Sequence, residues 1–135
     1  MTLPVTAALA IAMAGLLLLL AIDTVRCRFR LRVPHGTGDD ARLTSASRAH
    51  GNLAEHAPIV IILVGLLELS RANHMALMAV AGLFILGRLA HIHGLYNPKE
   101  NGPPLGRSLG VIVTWLVLAA LIGWTLMMLI GNLRG

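Results

Sequence analysis

Charged residues are scarce in this sequence, and their scarcity excludes an ordinary water-soluble domain. Only 13% of the 135 residues are charged, 56% are hydrophobic, and the mean hydropathy is +0.77. Residues 3–22 and 109–133 carry no charged side chain. Each run is long enough to cross about 30 Å of hydrocarbon as a helix rising roughly 1.5 Å per residue. The sequence therefore predicts two membrane spans.

Cysteine and aromatic residues are also rare. Cys27 is the only cysteine, so no intrachain disulfide can form. Aromatic residues make up 4% of the chain, too few to provide the stacking partners of a nucleic-acid surface despite a pI near 11.1. No histidine or cysteine spacing indicates a metal site, and no phosphate-binding glycine motif occurs. We therefore predict neither a nucleic-acid partner nor a metal centre.

Two shorter apolar stretches, residues 57–67 and 75–87, contain 11 and 13 residues. Alone, neither is long enough to span a membrane. Each becomes long enough if its helix includes the adjoining polar segment, residues 48–56 or 88–96. These polar segments must face other helices or water, because an ionised group facing lipid costs several kcal/mol. We predict one integral membrane domain over residues 1–135, an all-α transmembrane four-helix bundle with helices at residues 4–26, 44–70, 73–96 and 105–133.

The basic residues near the helix ends are unevenly distributed. Seven lie around the first and third connections, whereas two lie in the second connection and at the C-terminus. The positive-inside rule predicts that the first and third connections are cytoplasmic and that both termini lie outside. The seven residues are Arg26, Arg28, Arg30, Arg32, Arg42, Lys99 and Arg107.

The segment RAHGNLAEH on the second helix carries a polar stripe. Arg48, Asn52 and Glu55 are spaced four and three residues apart and fall within roughly 60° of one another. The stripe separates Arg48 from Glu55 by about 10 Å of helix rise, so the two are not expected to pair. Each then needs another partner, because an unpaired buried charge is costly. Ionisable residues within a membrane span usually belong to a functional site, which favours that interpretation of the stripe. The alternative is that the stripe only holds helices together.

Helix ends from three spans are expected at the same membrane surface. The third helix contributes Arg88 and His91, with Tyr96 at its boundary, and the fourth begins with Arg107 and Ser108. Arginines favour carboxylates, a glutamate favours an ammonium group, and an asparagine both donates and accepts. A small zwitterionic peptide with two carboxylates fits this inventory. The converging side chains are predicted to be Arg48, Asn52, Glu55, Arg88, His91, Tyr96 and Arg107.

Two acidic residues lie near the helix ends outside this stripe. Asp23 is followed three positions later by Arg26, and Glu68 is followed three positions later by Arg71. Residues three apart on a helix are neighbours on its surface. We therefore expect each acid either to extend its side chain to the membrane surface or to pair with the arginine that follows it.

The pattern Arg48-x-x-x-Asn52-x-x-Glu55-x-x-Pro58 resembles the signature of the MAPEG family, the membrane-associated proteins in eicosanoid and glutathione metabolism. RAHGNLAEHAP is similar to the form seen in its small bacterial members. The segment GTGDD, the spacing Arg88-x-x-His91 and the position of Arg107 resemble related elements of that family. The resemblance covers all four spans and implies a homotrimer in the bacterial inner membrane, with glutathione bound between subunits near the cytosolic face.

The resemblance also implies roles for individual residues. Arg48, Asn52 and Glu55 would hold glutathione, with Arg88 and His91 lining the same cleft. Arg107 would face the thiol and stabilise its thiolate, and Ser108 would either donate a hydrogen bond to the sulfur or serve only as a hydroxyl at the helix start. Arg26 is a further candidate for a glutathione carboxylate.

The implied activity is that of a glutathione transferase or peroxidase acting on lipophilic electrophiles or lipid hydroperoxides. Leu95 and Val111 stand where some members of known activity have aromatic residues, so the specialised eicosanoid chemistry is not expected. Two other functions stay open. The protein could be a non-catalytic glutathione-binding or structural membrane protein, or a small transporter in which Glu55 couples flux to protons.

Overall fold

The computed structural model describes residues 2–99 and 102–134, and these residues form four α-helices and no strand. Each helix is long and apolar enough to cross a membrane. The chain is therefore an all-α transmembrane four-helix bundle, and the predicted fold class is confirmed. The helices are α1 (Pro4–Leu31), α2 (Ala41–Leu69), α3 (His74–Tyr96) and α4 (Leu105–Arg134).

Helices α2 and α3 are central to the bundle, because each of them contacts all three other helices. The most extensive pair is α3 with α4, whereas α1 and α4 do not touch anywhere in the described part of the chain. Fully enclosed side chains, among them Val60, Leu77, Phe84 and Leu121, join the helices along their length. Consecutive helices run in opposite directions, so one end of the bundle holds the start of α2, the end of α3 and the start of α4.

Helix α1 extends to Leu31 instead of ending near residue 26. Arginine is a good helix former, so the arginine-rich segment continues the helix. The helix stops at Arg32, which adopts a left-handed conformation with φ 57° and bonds back to the carbonyl of Arg28. Pro34 disfavours helical backbone at the residue before it, which prevents further extension.

Helix α2 begins at Ala41, slightly before the predicted start at residue 44. The side chain of Asp40 accepts a 2.7 Å hydrogen bond from the backbone N–H of Leu43. A carboxylate at this position satisfies an amide that has no partner within the helix. The second acid of GTGDD, Asp40, therefore supplies the helix cap.

Glycines bring α3 and α4 unusually close together. A Cβ added at Gly94 would overlap the backbone nitrogen of Arg107, and a Cβ at Gly110 would overlap the Cβ of His91. Only glycine allows the two backbones to approach in this way. The close contact sets the positions of two predicted site residues, His91 and Arg107.

At the opposite end of the bundle, Glu68 binds the first turn of α1. It accepts hydrogen bonds from the backbone N–H groups of Val5 at 2.9 Å and Thr6 at 2.8 Å, and a third from the Thr6 hydroxyl at 2.6 Å. The prediction that Glu68 pairs with Arg71 is therefore wrong. The first amides of α1 lack partners within the helix, so a carboxylate is better satisfied there than by an exposed arginine.

Candidate functional site

A polar cleft of about 420 Å³ opens at the end of the bundle where α2 and α4 begin and α3 ends. Its volume falls within the usual range of about 300–1,000 Å³ for small-molecule sites. The helix starts add to its electrostatic character, since the unpaired amides at a helix N-terminus favour anions. The predicted residues that line it are Arg48, Asn52, Glu55, His91 and Arg107.

The charged groups of the cleft are not satisfied by one another. Arg48, Glu55 and Arg107 are all exposed, and none of their side chains forms a hydrogen bond or ion pair with any residue that the structure describes. Arg48 and Glu55, in particular, do not pair. The cleft therefore presents two guanidinium groups and one carboxylate that remain available for a ligand.

Asn52 is held by a buried arginine behind the cleft. The Arg88 side chain is 1% exposed, and its Nη1 donates a 2.7 Å hydrogen bond to Oδ1 of Asn52. Nη2 lies 3.4 Å from the carbonyl oxygen of Gly110, and Nε has no partner among the described residues. Arg88 does not line the cleft as the resemblance implied. It fixes Asn52, which does.

His91 is oriented by the backbone of the next helix. Its Nδ1 lies 3.1 Å from the carbonyl oxygen of Arg107, and the residue is 4% exposed. A carbonyl oxygen only accepts, so Nδ1 carries the hydrogen and Nε2 of the neutral ring is an acceptor. Nε2 makes no hydrogen bond within residues 2–99 and 102–134. One ring nitrogen of His91 is therefore held by the backbone of α4, and the other has no partner among the described residues.

Tyr96 belongs to a different cluster, which ties α1, α2 and α3 together. Its hydroxyl donates a 2.6 Å hydrogen bond to Asp23, which also accepts two 2.9 Å hydrogen bonds from Arg42. The Arg42 guanidinium lies 4.4 Å from the centre of the Tyr96 ring. Tyr96 is absent from the cleft lining, and Asp23 pairs with Arg42 instead of the predicted Arg26. The bidentate geometry of Arg42 explains that choice.

Two further predicted site residues, Arg26 and Ser108, do not line the cleft. Arg26 lines a separate pocket of about 230 Å³ with Arg30 and Arg42. Ser108 is half-buried, and its backbone N–H bonds to the carbonyl of Pro104 in the first turn of α4. Neither side chain lines the cleft formed by Arg48 and Arg107.

Several lining residues escaped the sequence prediction. Thr44 lies one turn before Arg48, so extending the helical spacing by one turn would have found it, and Ser47 and Gly51 lie beside the stripe. Thr37 comes from the first connection, and no local pattern marks it. Leu95 and Val111 form the apolar part of the wall.

The fold and this cleft define a small four-helix integral membrane protein with an open polar cleft at one end. The chain belongs to the MAPEG family, whose sequence profile matches residues 6–127. This confirms the family predicted from the second-helix motif.

Two curated relatives carry the same name. Inner membrane protein YecN of Escherichia coli strain K12 is 33% identical over 129 residues, which cover 96% of this chain and 90% of that protein. The protein of that name from Escherichia coli O6:H1 strain CFT073 matches to the same extent.

Proposed function

We propose that this protein binds glutathione in the polar cleft and uses its thiolate on lipophilic electrophiles or lipid hydroperoxides. One observation carries the proposal. In a chain of the MAPEG family, Arg48, Glu55 and Arg107 surround one open cleft and have no partner among the described residues. Because these groups are exposed and have no partner among the described residues, they are free to form charge-assisted hydrogen bonds with a ligand of complementary charge.

The charges of glutathione match those of the cleft. The peptide has two carboxylates and one ammonium group, and the cleft offers two arginines and one glutamate. Arg48 can hold a carboxylate through two parallel hydrogen bonds, Glu55 can accept from the ammonium group, and Arg107 is left to face the thiol. Asn52 adds a donor, because its oxygen already accepts from Arg88. The NH₂ group of Asn52 then suits a carboxylate or a peptide carbonyl of the ligand.

The proposed chemistry begins with the thiol proton leaving to water in the open cleft. Arg107, on the same side of the cleft, stabilises the thiolate that remains. In conjugation the sulfur forms a bond to an electrophilic carbon, and the leaving group departs with its electron pair. Leu95 and Val111 supply apolar contact for a lipophilic substrate that enters from the bilayer.

We further propose that the protein is a homotrimer in the bacterial inner membrane, with both termini outside and the cleft toward the cytoplasm. The name of the YecN relatives supports the inner membrane, and the excess of basic residues around the first and third connections supports the orientation. The trimer is what the family resemblance implies. Arg26 lies outside the cleft of its own chain, so it would reach glutathione only from a neighbouring subunit.

Calorimetry on the detergent-purified protein tests the binding step. We expect glutathione to bind the wild type, and Arg48→Gln or Glu55→Gln to weaken binding at least about tenfold, roughly 1.4 kcal/mol. Arg134→Gln, which removes an exposed arginine at the far end of α4, is the matched control and leaves binding unchanged. No measurable binding to the wild type would overturn the proposal.

Turnover tests the catalytic step separately. A chloronitrobenzene and an organic hydroperoxide serve as probe substrates, and the absorbance of the thiolate reports its formation. Arg107→Gln is expected to lose thiolate absorbance and turnover more than it loses affinity. Glutathione affinity with no turnover of either probe would assign a non-catalytic binding protein. Proton-driven flux in liposomes that Glu55→Gln abolishes would instead assign a transporter.

A further inference from the structure

The end of α1 carries an alternating run of arginines that the glutathione site does not use in full. Arg26, Arg28, Arg30 and Arg32 occupy every second position. Because the segment is helical, successive members of the run point about 200° apart and divide into two stripes. Arg26 and Arg30 face the pocket beside α2, whereas Arg28 and Arg32 line a separate cleft on the other side.

This second cleft has a volume of about 460 Å³ and is formed entirely by the end of α1 and the chain that follows it. Its wall combines apolar and basic side chains in one place. Phe29, one of the two phenylalanines in the chain, is 81% exposed. The lining residues are Val25, Arg28, Phe29, Arg32, Val33 and Pro34.

The cleft is held in shape by contacts of its own. Nη1 of Arg28 donates to the carbonyl of Gly36 at 2.8 Å, which fastens the connection back to the helix. Gly38 has φ +56°, and a Cβ there would lie 2.8 Å from Cγ2 of Val33. The connection therefore folds against Val33 through a glycine. No acidic residue lines this cleft, and neither Arg28 nor Arg32 forms an ion pair within the described ranges.

The position of the cleft along α1 matches the lipid headgroup layer. The uncharged run of α1 ends at Ile22, and a rise of 1.5 Å per residue puts Val25 about 5 Å and Arg28 about 9 Å beyond it. The headgroup layer on each side of a bilayer is roughly 5–8 Å thick. Val25 therefore lies within the headgroup layer and Arg28 at its outer edge, from where a long arginine side chain can extend back toward the phosphates.

We propose that this cleft binds one anionic phospholipid, with its phosphate between Arg28 and Arg32 and the upper part of an acyl chain against Val25 and Phe29. The charge of the cleft is wholly positive, which complements an anionic headgroup. Phe29 would otherwise expose an aromatic ring at the membrane surface, since the described residues leave it 81% exposed. The proposal is independent of glutathione, because this cleft shares no lining residue with the one formed by Arg48 and Arg107.

Native mass spectrometry of the whole protein in detergent tests the proposal, using phosphatidylglycerol and phosphatidylcholine with identical acyl chains. We expect the wild type to prefer phosphatidylglycerol about twentyfold, because each arginine near the surface contributes about fivefold. Arg32→Gln is expected to lower that preference about fivefold. Arg30→Gln, on the opposite stripe of the same helix turn, is the matched control and should retain most of it. Arg28 is left intact, because it also holds the connection.

Further measurements separate the lipid from other occupants. Phe29→Ala should weaken the binding of both lipids to a similar extent. Glycerol 3-phosphate at millimolar concentration should not compete with phosphatidylglycerol for the cleft. Competition by glycerol 3-phosphate would make this a site for free phosphate, and a change in assembly mass in Arg32→Gln would make it a subunit interface. Either result, or equal affinity of the wild type for the two lipids, overturns the proposal. Glutathione binding by Arg32→Gln should remain unchanged, whichever lipid result is obtained.

Discussion

The side-chain oxygen of Asn52 accepts a 2.7 Å hydrogen bond from Nη1 of Arg88, a side chain that is 1% exposed. A guanidinium group has donors only, so this contact decides which end of the amide faces the cleft. The oxygen of Asn52 is occupied and its NH₂ group remains available. The buried guanidinium group of Arg88 on α3 therefore determines that Asn52 on α2 presents a hydrogen-bond donor to a ligand.

Substituting Asn52 by aspartate should separate stability from binding. Asn52→Asp keeps an acceptor for Arg88 and gives the buried cation an acidic partner, so thermal unfolding in detergent should occur at the wild-type temperature or above. Glutathione affinity should fall at least about tenfold, because the donor is lost and a negative charge faces the ligand carboxylates. Calorimetry measures this loss.

The alanine variant of the same residue is the comparison. Asn52→Ala leaves the buried Arg88 without its main acceptor and should destabilise the protein by about 1–3 kcal/mol. If Asn52→Asp were as unstable as Asn52→Ala, the hydrogen bond between Asn52 and Arg88 would not be what stabilises the protein at this position.

Gly94 should be intolerant of any side chain. Gly94→Ala would place a Cβ against the backbone nitrogen of Arg107, so the start of α4 must move. Overpacking of this kind costs about 1–3 kcal/mol, and the displacement of Arg107 should lower glutathione affinity as well. Gly82→Ala is the matched control, since open space surrounds Gly82 in the same helix. Equal behaviour of the two variants in unfolding and binding would contradict the proposed packing.

Tyr96 should contribute to stability and not to binding. Its hydroxyl donates to Asp23 and lies outside the cleft lining. Tyr96→Phe removes one hydrogen bond to a charged group, so we expect a loss of about 1.5–3 kcal/mol, reduced by the partial exposure of the site. Glutathione affinity should change by less than about threefold. If Tyr96→Phe instead lost much of its glutathione affinity and kept wild-type stability, Tyr96 would belong to the binding site.

Glu68 and Glu55 should show opposite phenotypes. Glu68 accepts three hydrogen bonds at the start of α1, so Glu68→Ala should lower stability by about 1–3 kcal/mol and leave glutathione binding unchanged. Glu55 is exposed and without a partner among the described residues, so Glu55→Ala should change stability by less than about 0.5 kcal/mol but weaken binding. Unfolding curves and calorimetry on the same two preparations distinguish the outcomes.

The polar stripe on α2 was predictable because helical spacing alone puts Arg48, Asn52 and Glu55 on one face. The partner of Asp23 was not predictable in the same way. Arg26 lies three residues away on the same helix, yet Arg42 offers two parallel hydrogen bonds from another helix. A local spacing rule does not detect a partner that is close only after folding, and this also explains the error at Glu68.

By itself, the amino-acid sequence determined that this chain crosses a membrane with four helices, because apolar runs and their lengths depend only on local composition. It also determined the second-helix motif that identifies the family. Only the tertiary structure decided that Arg88 lies behind the cleft and that Tyr96 joins another cluster. The physical reason is the close packing of α3 on α4, which depends on glycines in two helices at once and sets the direction of every side chain near that contact.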